Sequence, residues 1–351
     1  MSRQPGLFET PAEQPPAKRR ATSGSDVLPA ADSPLRDAPI LPPGIRLGTS
    51  SWFFPGWRGL VYGDIYPQVT LSRKGLAAYA TLPLLRTVSL DRTFYAPISA
   101  AQYAKYAADV PESFSFLVKA PAMVCDALVR GEDGRGRVAN PHFLDAAIAA
   151  REFVVPCLEG LGAKAGPLVF QVSPLPRELV DEQRALVERL AAFFDALPRE
   201  LGRHRPLYAL ELRNGELVTP RLMRMLSAVG VRYCVGLHDR MPLAERQAAA
   251  LRALDGGPAE GAYEAKGPLV VRWNLHRGFL YQEAKQRYEP FDRLVDEDPE
   301  TRRTLARLAV DAFRSGQPVW ITANNKAEGS APLTLLRLAE EIARILAQVA
   351  A

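Results

Sequence analysis

From Gly44 onward, short apolar runs of strand length alternate with longer stretches in which apolar residues recur at helical spacing. The runs are Ile45 to Ser50, Arg86 to Asp91, Ser115 to Lys119, Pro167 to Gln171, Pro206 to Arg213, Arg232 to Leu237, Leu269 to Arg272 and Pro318 to Thr322. Such near-continuous apolar runs read as parallel strands buried on both faces. Between them, several helices are announced by a capping residue followed by proline, whose missing N–H is harmless in the first turn: Asn140-Pro141, Thr219-Pro220 and Asp298-Pro299. Ser99 is placed to cap a helix through Tyr103 and Tyr106, Val180 to Leu197 is amphipathic, and Pro332 to Val349 closes the chain. Gly230 and Gly316 stand where C-terminal caps belong. Strands and helices in strict alternation, eight of each, predict an α/β (β/α)8 TIM-like barrel over residues 44–351.

Residues 1–43 differ in kind. They carry nine of the thirty prolines and no apolar periodicity, so they are expected to form a disordered Pro-rich tail. The tail balances five basic residues against five acidic ones, which leaves the net charge of +5 on the barrel. A mildly basic body suits anionic ligands as well as simple solvation. The three cysteines, Cys125, Cys157 and Cys234, lie far apart and in no metal-binding spacing, which points to a reducing, cytoplasmic setting. Neither a secretory leader nor a run long enough to span a bilayer is evident, so no membrane association is expected.

Alternation within the strands predicts which residues face the barrel axis. In Tyr208-Ala209-Leu210-Glu211-Leu212-Arg213 the apolar residues face the helices, and Ala209, Glu211 and Arg213 face inward. The same phase turns Asp91, Lys119, Gln171 and Arg272 inward at the C-terminal ends of their strands, the face where barrel enzymes build their sites. With Ser50, Trp52, His238, Asp239, Asn324 and Asn325 they form the candidate site. Lys119, Arg213 and Arg272 are suited to hold a phosphate or carboxylate. Glu211, with Asp91 or the His238-Asp239 pair, is the candidate acid/base group. The competing reading is an internal ion pair of Glu211 with Arg213 or Arg272 that only fixes the barrel. A divalent metal among Asp91, Glu211, His238 and Asp239 is a further option, although no HxH or HExxH spacing supports it. The segment from Gly131 to Arg137 shares only glycine content with phosphate-binding loops and reads as a mobile, basic loop over the mouth; no nucleotide-cofactor motif is present. Aromatic residues from Trp52 to Tyr66 suit either stacking on a ring or capping the barrel core.

These segments resemble the DUF72 (YecE-like) family: GTSSW at 48–52, WRG at 57–59, YP at 66–67, TFY at 93–95, FSFLVKAP at 114–121, GPLVFQVSP at 166–174, LELR at 210–213 and ANN at 323–325. The resemblance implies a TIM-like barrel of unassigned activity, with recurrent polar residues at Ser50, Trp52, Lys119, Gln171, Glu211, Arg213, Arg272, Asn324 and Asn325. This chain departs from the pattern at Ser89, where a strand-borne glutamate is usual, and at Lys326 and Ser330, which replace an aspartate and a histidine. In the tail, Gln4-Pro5-Gly6-Leu7-Phe8 resembles the QxxLF peptide that docks on bacterial sliding clamps, with Gln4, Leu7 and Phe8 as the contact residues.

Three readings follow. One is an enzyme, a hydrolase, lyase or isomerase, that holds an anionic small molecule and moves a proton with Glu211. The second is a nucleic-acid-binding or nuclease-like factor recruited to the clamp, using Lys18, Arg19 and Arg20 with Arg135 and Arg137 for phosphate contacts. The third is a ligand-binding barrel without catalysis.

Overall fold

The computed structural model describes residues 26–130, 136–258 and 263–350. Eight strands pair in parallel and close into a barrel: β1 (Ile45–Thr49), β2 (Leu85–Leu90), β3 (Ser115–Lys119), β6 (Ala165–Gln171), β7 (Leu207–Glu211), β8 (Arg232–Leu237), β9 (Leu269–Trp273) and β10 (Val319–Ala323), which returns to β1. Each lies within two residues of the bounds expected from its apolar run. A separate antiparallel hairpin, β4 (Leu128–Arg130) and β5 (Gly136–Ala139), leaves the barrel between β3 and β6. It flanks residues 131–135, so most of the expected basic loop lies outside the described residues. The same holds for the Gln4 to Phe8 peptide and for Lys18, Arg19 and Arg20.

The alternation read from β7 is realised around the barrel. Leu117, Val169, Ala209, Cys234 and Val270, from five successive strands, pack on one another as an inner cluster separate from the main core. Their outward neighbours, among them Phe116, Phe170, Leu210, Val235 and Val271, join the large core between strands and helices. Two residues past the inner cluster along each strand come Lys119, Gln171, Glu211, Gly236 and Arg272. The period of two therefore delivers four polar side chains to one level at the C-terminal end.

Helix starts follow the expected chemistry at three of four positions. Thr219 Oγ1 accepts from Leu222 N (3.3 Å), Asp298 Oδ1 accepts from Thr301 N (3.1 Å), and Ser99 forms a reciprocal capping box with Gln102. Gly230 (φ 65°) and Gly316 (φ 73°) adopt the left-handed conformation just past the helices they end. Asn140-Pro141 departs from expectation. The Asn140 amide instead ties Met123 O (2.9 Å) and Asp126 O (2.7 Å), and the helix begins at Ala146 under an Asp145 cap. A π-helical segment, Ala150–Val154, follows. Pro156, just beyond it, has no N–H to continue the regular ladder.

The tail expectation needs correction from Asp26 onward. Val27, Leu35 and Leu41 are buried in the main core. Backbone bonds Ala30 N to Val61 O (3.0 Å) and Gly63 N to Leu28 O (2.9 Å) stitch the segment to the loop after β1, and Arg86 donates to Leu41 O and Pro42 O. Apolar residues spaced irregularly among prolines show no period, yet Val27, Leu35 and Leu41 find seats, while Leu28 and Ile40 stay exposed, because the barrel supplies the hydrogen-bond partners that the segment cannot supply itself.

Candidate functional site

Arg272 organises the C-terminal end of the barrel. Its Nη2 donates to both Asp91 oxygens (2.8 and 2.7 Å), while Nη1 donates to Glu211 Oε2 (2.6 Å). Arg213 Nη2 lies 2.8 Å from Glu211 Oε1 and donates to Gln171 Oε1 at 3.0 Å. Asn274 donates to Glu211 Oε1 (3.2 Å), and Ser89 donates to Asp91 Oδ1 (2.6 Å). Glu211 has no exposure and Arg272 has 1 %, so these charges have left water and are retained only through one another. Burial alone would raise the Glu211 carboxyl, but Arg213 and Arg272 outweigh it and hold the group below the usual carboxylate range. Gly236 makes room for this arrangement, since a Cβ there would sit 3.0 Å from Glu211 Cγ.

Above this network opens a cleft of about 750 Å³, lined by Ser50, Asp91, Asn324 and Lys326, by the aromatic residues Phe53, Phe54, Tyr95, Tyr281 and Phe291, and by the cations Arg92 and Lys285. Its walls are braced. Asn324 donates to Ser50 Oγ (2.7 Å), Phe54 packs edge-on to Phe291 with centroids 5.7 Å apart, and Arg92 donates to Tyr106 Oη (2.8 Å). At Gly56 the turn after β1 comes so close to Pro290 that a Cβ would lie 1.7 Å from its carbonyl oxygen. Phe291, at φ 71°, holds a backbone conformation rarely adopted by large side chains, a local strain of the sort that collects at binding sites. Tyr95 (87 % exposed) and Tyr281 (49 %) present aromatic surface at the rim.

Two lysines stand out because neither makes an ion pair among the described residues. Lys119, at the end of β3, places its ammonium 3.4 Å from the Phe94 ring centroid, and Lys326 places its own 4.2 Å from that of Tyr281. Burial pushes each amine down to about 8, and the Asp91 carboxylate only partly offsets this.

The structure thus gathers Asp91, Lys119, Gln171, Glu211, Arg213 and Arg272, and brings Ser50, Asp91 and Asn324 to the cleft itself. It places the other expected residues elsewhere. Trp52 is buried, its indole donating to Leu71 O (3.1 Å), and Asn325 is an anchor whose Oδ1 accepts from Trp57 Nε1 (3.1 Å) and Ala331 N (2.9 Å). His238 contacts Asp239 and lies among Met241, Pro242, Trp273 and Thr301; burial, then the charge of Arg213, pushes its imidazole down to about 4. Among the described residues no three His, Cys, Asp or Glu side chains converge as metal ligands. A cation between Asp91 and Glu211 is corrected by the structure, since the Arg272 guanidinium already occupies that place. The aromatic run after β1 divides: Trp52, Trp57, Tyr62 and Tyr66 cap the core, while Phe53 and Phe54 line the cleft. Sequence reasoning missed Arg92, Asn274, Tyr281 and Lys285. Asn274, two residues past the inward Arg272, was within reach of the alternation rule.

A closed parallel eight-stranded barrel with polar residues massed at its C-terminal strand ends makes this an α/β-barrel protein of the TIM-like class. The chain belongs to the DUF72 family: the family model described as "Protein of unknown function DUF72" matches residues 46–350. Among solved structures it resembles a DUF72 family protein from Enterococcus faecalis, at 18% identity over 85% of this chain and 95% of that one, with a TM-score of 0.55. It also resembles one from Thermotoga maritima, at 19% identity over 86% of this chain and 99% of that one, with a TM-score of 0.54. At such identity the likeness is one of fold. None of the curated proteins matches the chain. Among the described residues no helix is long and apolar enough to cross a membrane.

Proposed function

We propose that the mouth of the barrel is the active site of an enzyme, a hydrolase, lyase or isomerase, acting on a small molecule that bears a phosphate or carboxylate. The observation that carries this reading is a charge imbalance. Among the described residues, Lys119, Arg213 and Arg272 beneath the cleft face only the carboxylates Glu211 and Asp91, and Lys326 adds a further cation without an ion pair in the wall. Uncompensated positive charge under a partly desolvated pocket draws an anion, because the ligand supplies the counter-charge that the protein lacks. The aromatic walls suit the carbon skeleton of such a ligand.

In this reading Asp91 is the proton-transfer group, since it alone of the buried network opens on the cleft. Glu211 acts through Arg272 as a positioning residue. A thermal-shift series on the full chain tests the proposal with citrate, inorganic phosphate, sugar phosphates and short oligonucleotides. A ligand of the native state raises the melting temperature. A small anion should do so, and Lys326→Met should weaken the effect. Stabilisation by oligonucleotides alone would favour the nucleic-acid reading, and no shift with any anion would remove the basis for an anion-binding mouth.

A further inference from the structure

We propose that Lys326 is a carbonyl-capturing amine, which attacks the carbonyl carbon of a small aldehyde or keto acid bound in the mouth cleft and holds it as an imine. The inference rests on the cleft being a small-molecule site, and adds the chemical class of the substrate and the atom that engages it.

The position of Lys326 is set by its backbone. Its N–H donates to Asn324 Oδ1 (3.1 Å) and its carbonyl accepts from His276 N (2.7 Å), which pins the residue between the segments leaving β9 and β10. The residue is 5 % exposed and its side chain forms part of the cleft wall, with the ammonium over Tyr281 and no carboxylate paired to it among the described residues. A lysine used only for solubility would reach water, and one used as a structural cation would take a carboxylate. This one does neither. Burial lowers its proton affinity most and Lys285 lowers it further, while Asp91 and Glu289 pull it partly back. At neutral pH about a tenth of such an amine is free base, against well under a hundredth for an unperturbed lysine. Lys119 shares the lowered affinity, but it sits against Phe94 below the cleft and is not part of its wall.

The chemistry balances with what the cleft offers. The nitrogen lone pair adds to the carbonyl carbon, the C–O π pair moves to oxygen, and one proton passes from nitrogen to oxygen to give a carbinolamine. Protonation of the hydroxyl and loss of water leave the protonated imine, and water reverses the sequence. Asp91, in the same cleft and fixed by Arg272, is the group to carry these protons. No oxidant or reductant is consumed.

The test is reductive trapping on the full chain. The protein is incubated with pyruvate, glyoxylate or glyceraldehyde 3-phosphate, quenched with borohydride and mapped by mass spectrometry. At least one probe should leave a secondary-amine adduct on Lys326, exceeding that on Lys74 and Lys105, exposed lysines outside the cleft, by about tenfold, the advantage expected of a free-base amine in a binding cleft. Labelling of Lys326 should level off above about pH 8. Lys326→Arg, checked by its melting curve for folding, should abolish it. Adducts spread over exposed lysines, adducts concentrated on Lys119, or none with any probe would overturn the proposal. Lactate, which has the carboxylate but no electrophile, separates the two readings. If lactate stabilises the protein while the carbonyl probes leave no mark, the imine falls and the anion site stands. If neither binds nor labels, both fall.

Discussion

Arg272 and Asp91 meet through one guanidinium nitrogen and both carboxylate oxygens, at 2.8 and 2.7 Å, and this contact joins the sealed interior of the barrel to its open mouth. Arg272 is buried among the strands, whereas the Asp91 side chain keeps 34 % of its exposure. The pair carries the geometry of the barrel out to Asp91, a carboxylate that lines the cleft together with Glu289.

The same contact predicts how the network fails. Glu211→Gln leaves Arg213 and Arg272 in the interior without their shared counter-charge, and should cost about 3–5 kcal/mol in chemical denaturation. The Glu211 carboxyl is held low in the folded state, so its stabilisation is complete above the ordinary carboxylate pKa and is lost as pH falls below about 4. The gap between wild type and variant should therefore narrow on acidification. Equal stability at neutral pH would show that the ion pairs do not hold the barrel.

Gly236 should tolerate no side chain. In Gly236→Ala the new Cβ meets Glu211 at 3.0 Å, and Glu211 cannot yield because both of its oxygens are bound to arginines. A loss of about 1–3 kcal/mol is expected, the usual cost of overpacking. An unchanged melting temperature would mean that Glu211 moves more freely than its bonds suggest.

Lys326→Met should stabilise the protein at pH 7. The folded chain binds the lysine proton less tightly than the unfolded chain, about 8 against 10.5, so below pH 8 the wild type bears a penalty of up to about 3 kcal/mol. Between roughly pH 8 and 10.5 the unfolded chain holds more protons, wild-type stability rises relative to the variant, and the two curves converge. The charges facing this amine are Lys285, Asp91 and Glu289, and Tyr281 lies beneath it. Parallel stability curves from pH 7 to 10 would contradict a lowered proton affinity.

Residues 26–43 should behave as part of the barrel domain. Leu35 has no exposure, so Leu35→Ala should cost about 2–5 kcal/mol, and a chain starting at Gly44 should melt below one starting at Asp26. Matching melting temperatures for the two truncations would place the segment outside the cooperative unit.

The barrel itself was legible in the sequence because its strands obey local rules. A strand buried on both faces must be apolar throughout, and its period of two fixes which residues turn inward once one is known. Glu211 on β7 therefore located Gln171 on the adjacent β6 and Arg272 on β9, one strand beyond β8, and Thr219 and Asp298 marked their helix starts by capping chemistry that acts within three residues. Asn140 failed as a helix mark because its amide found partners at Met123 and Asp126, residues that only the folded chain brings near.

What the sequence left open was decided by contacts between residues distant along the chain. Whether Arg272 serves a ligand or a carboxylate depends on Asp91 and Glu211, 181 and 61 positions away, and the fold gives it to both. Lys326 reads in the sequence as a mere replacement, and only the packing of its ammonium over Tyr281 makes it, among the described residues, an amine without an ion pair in a cleft wall. Periodicity and capping are properties of neighbours, so the chain displays them directly; solvation and charge balance are properties of a closed volume, and exist only once the barrel has formed.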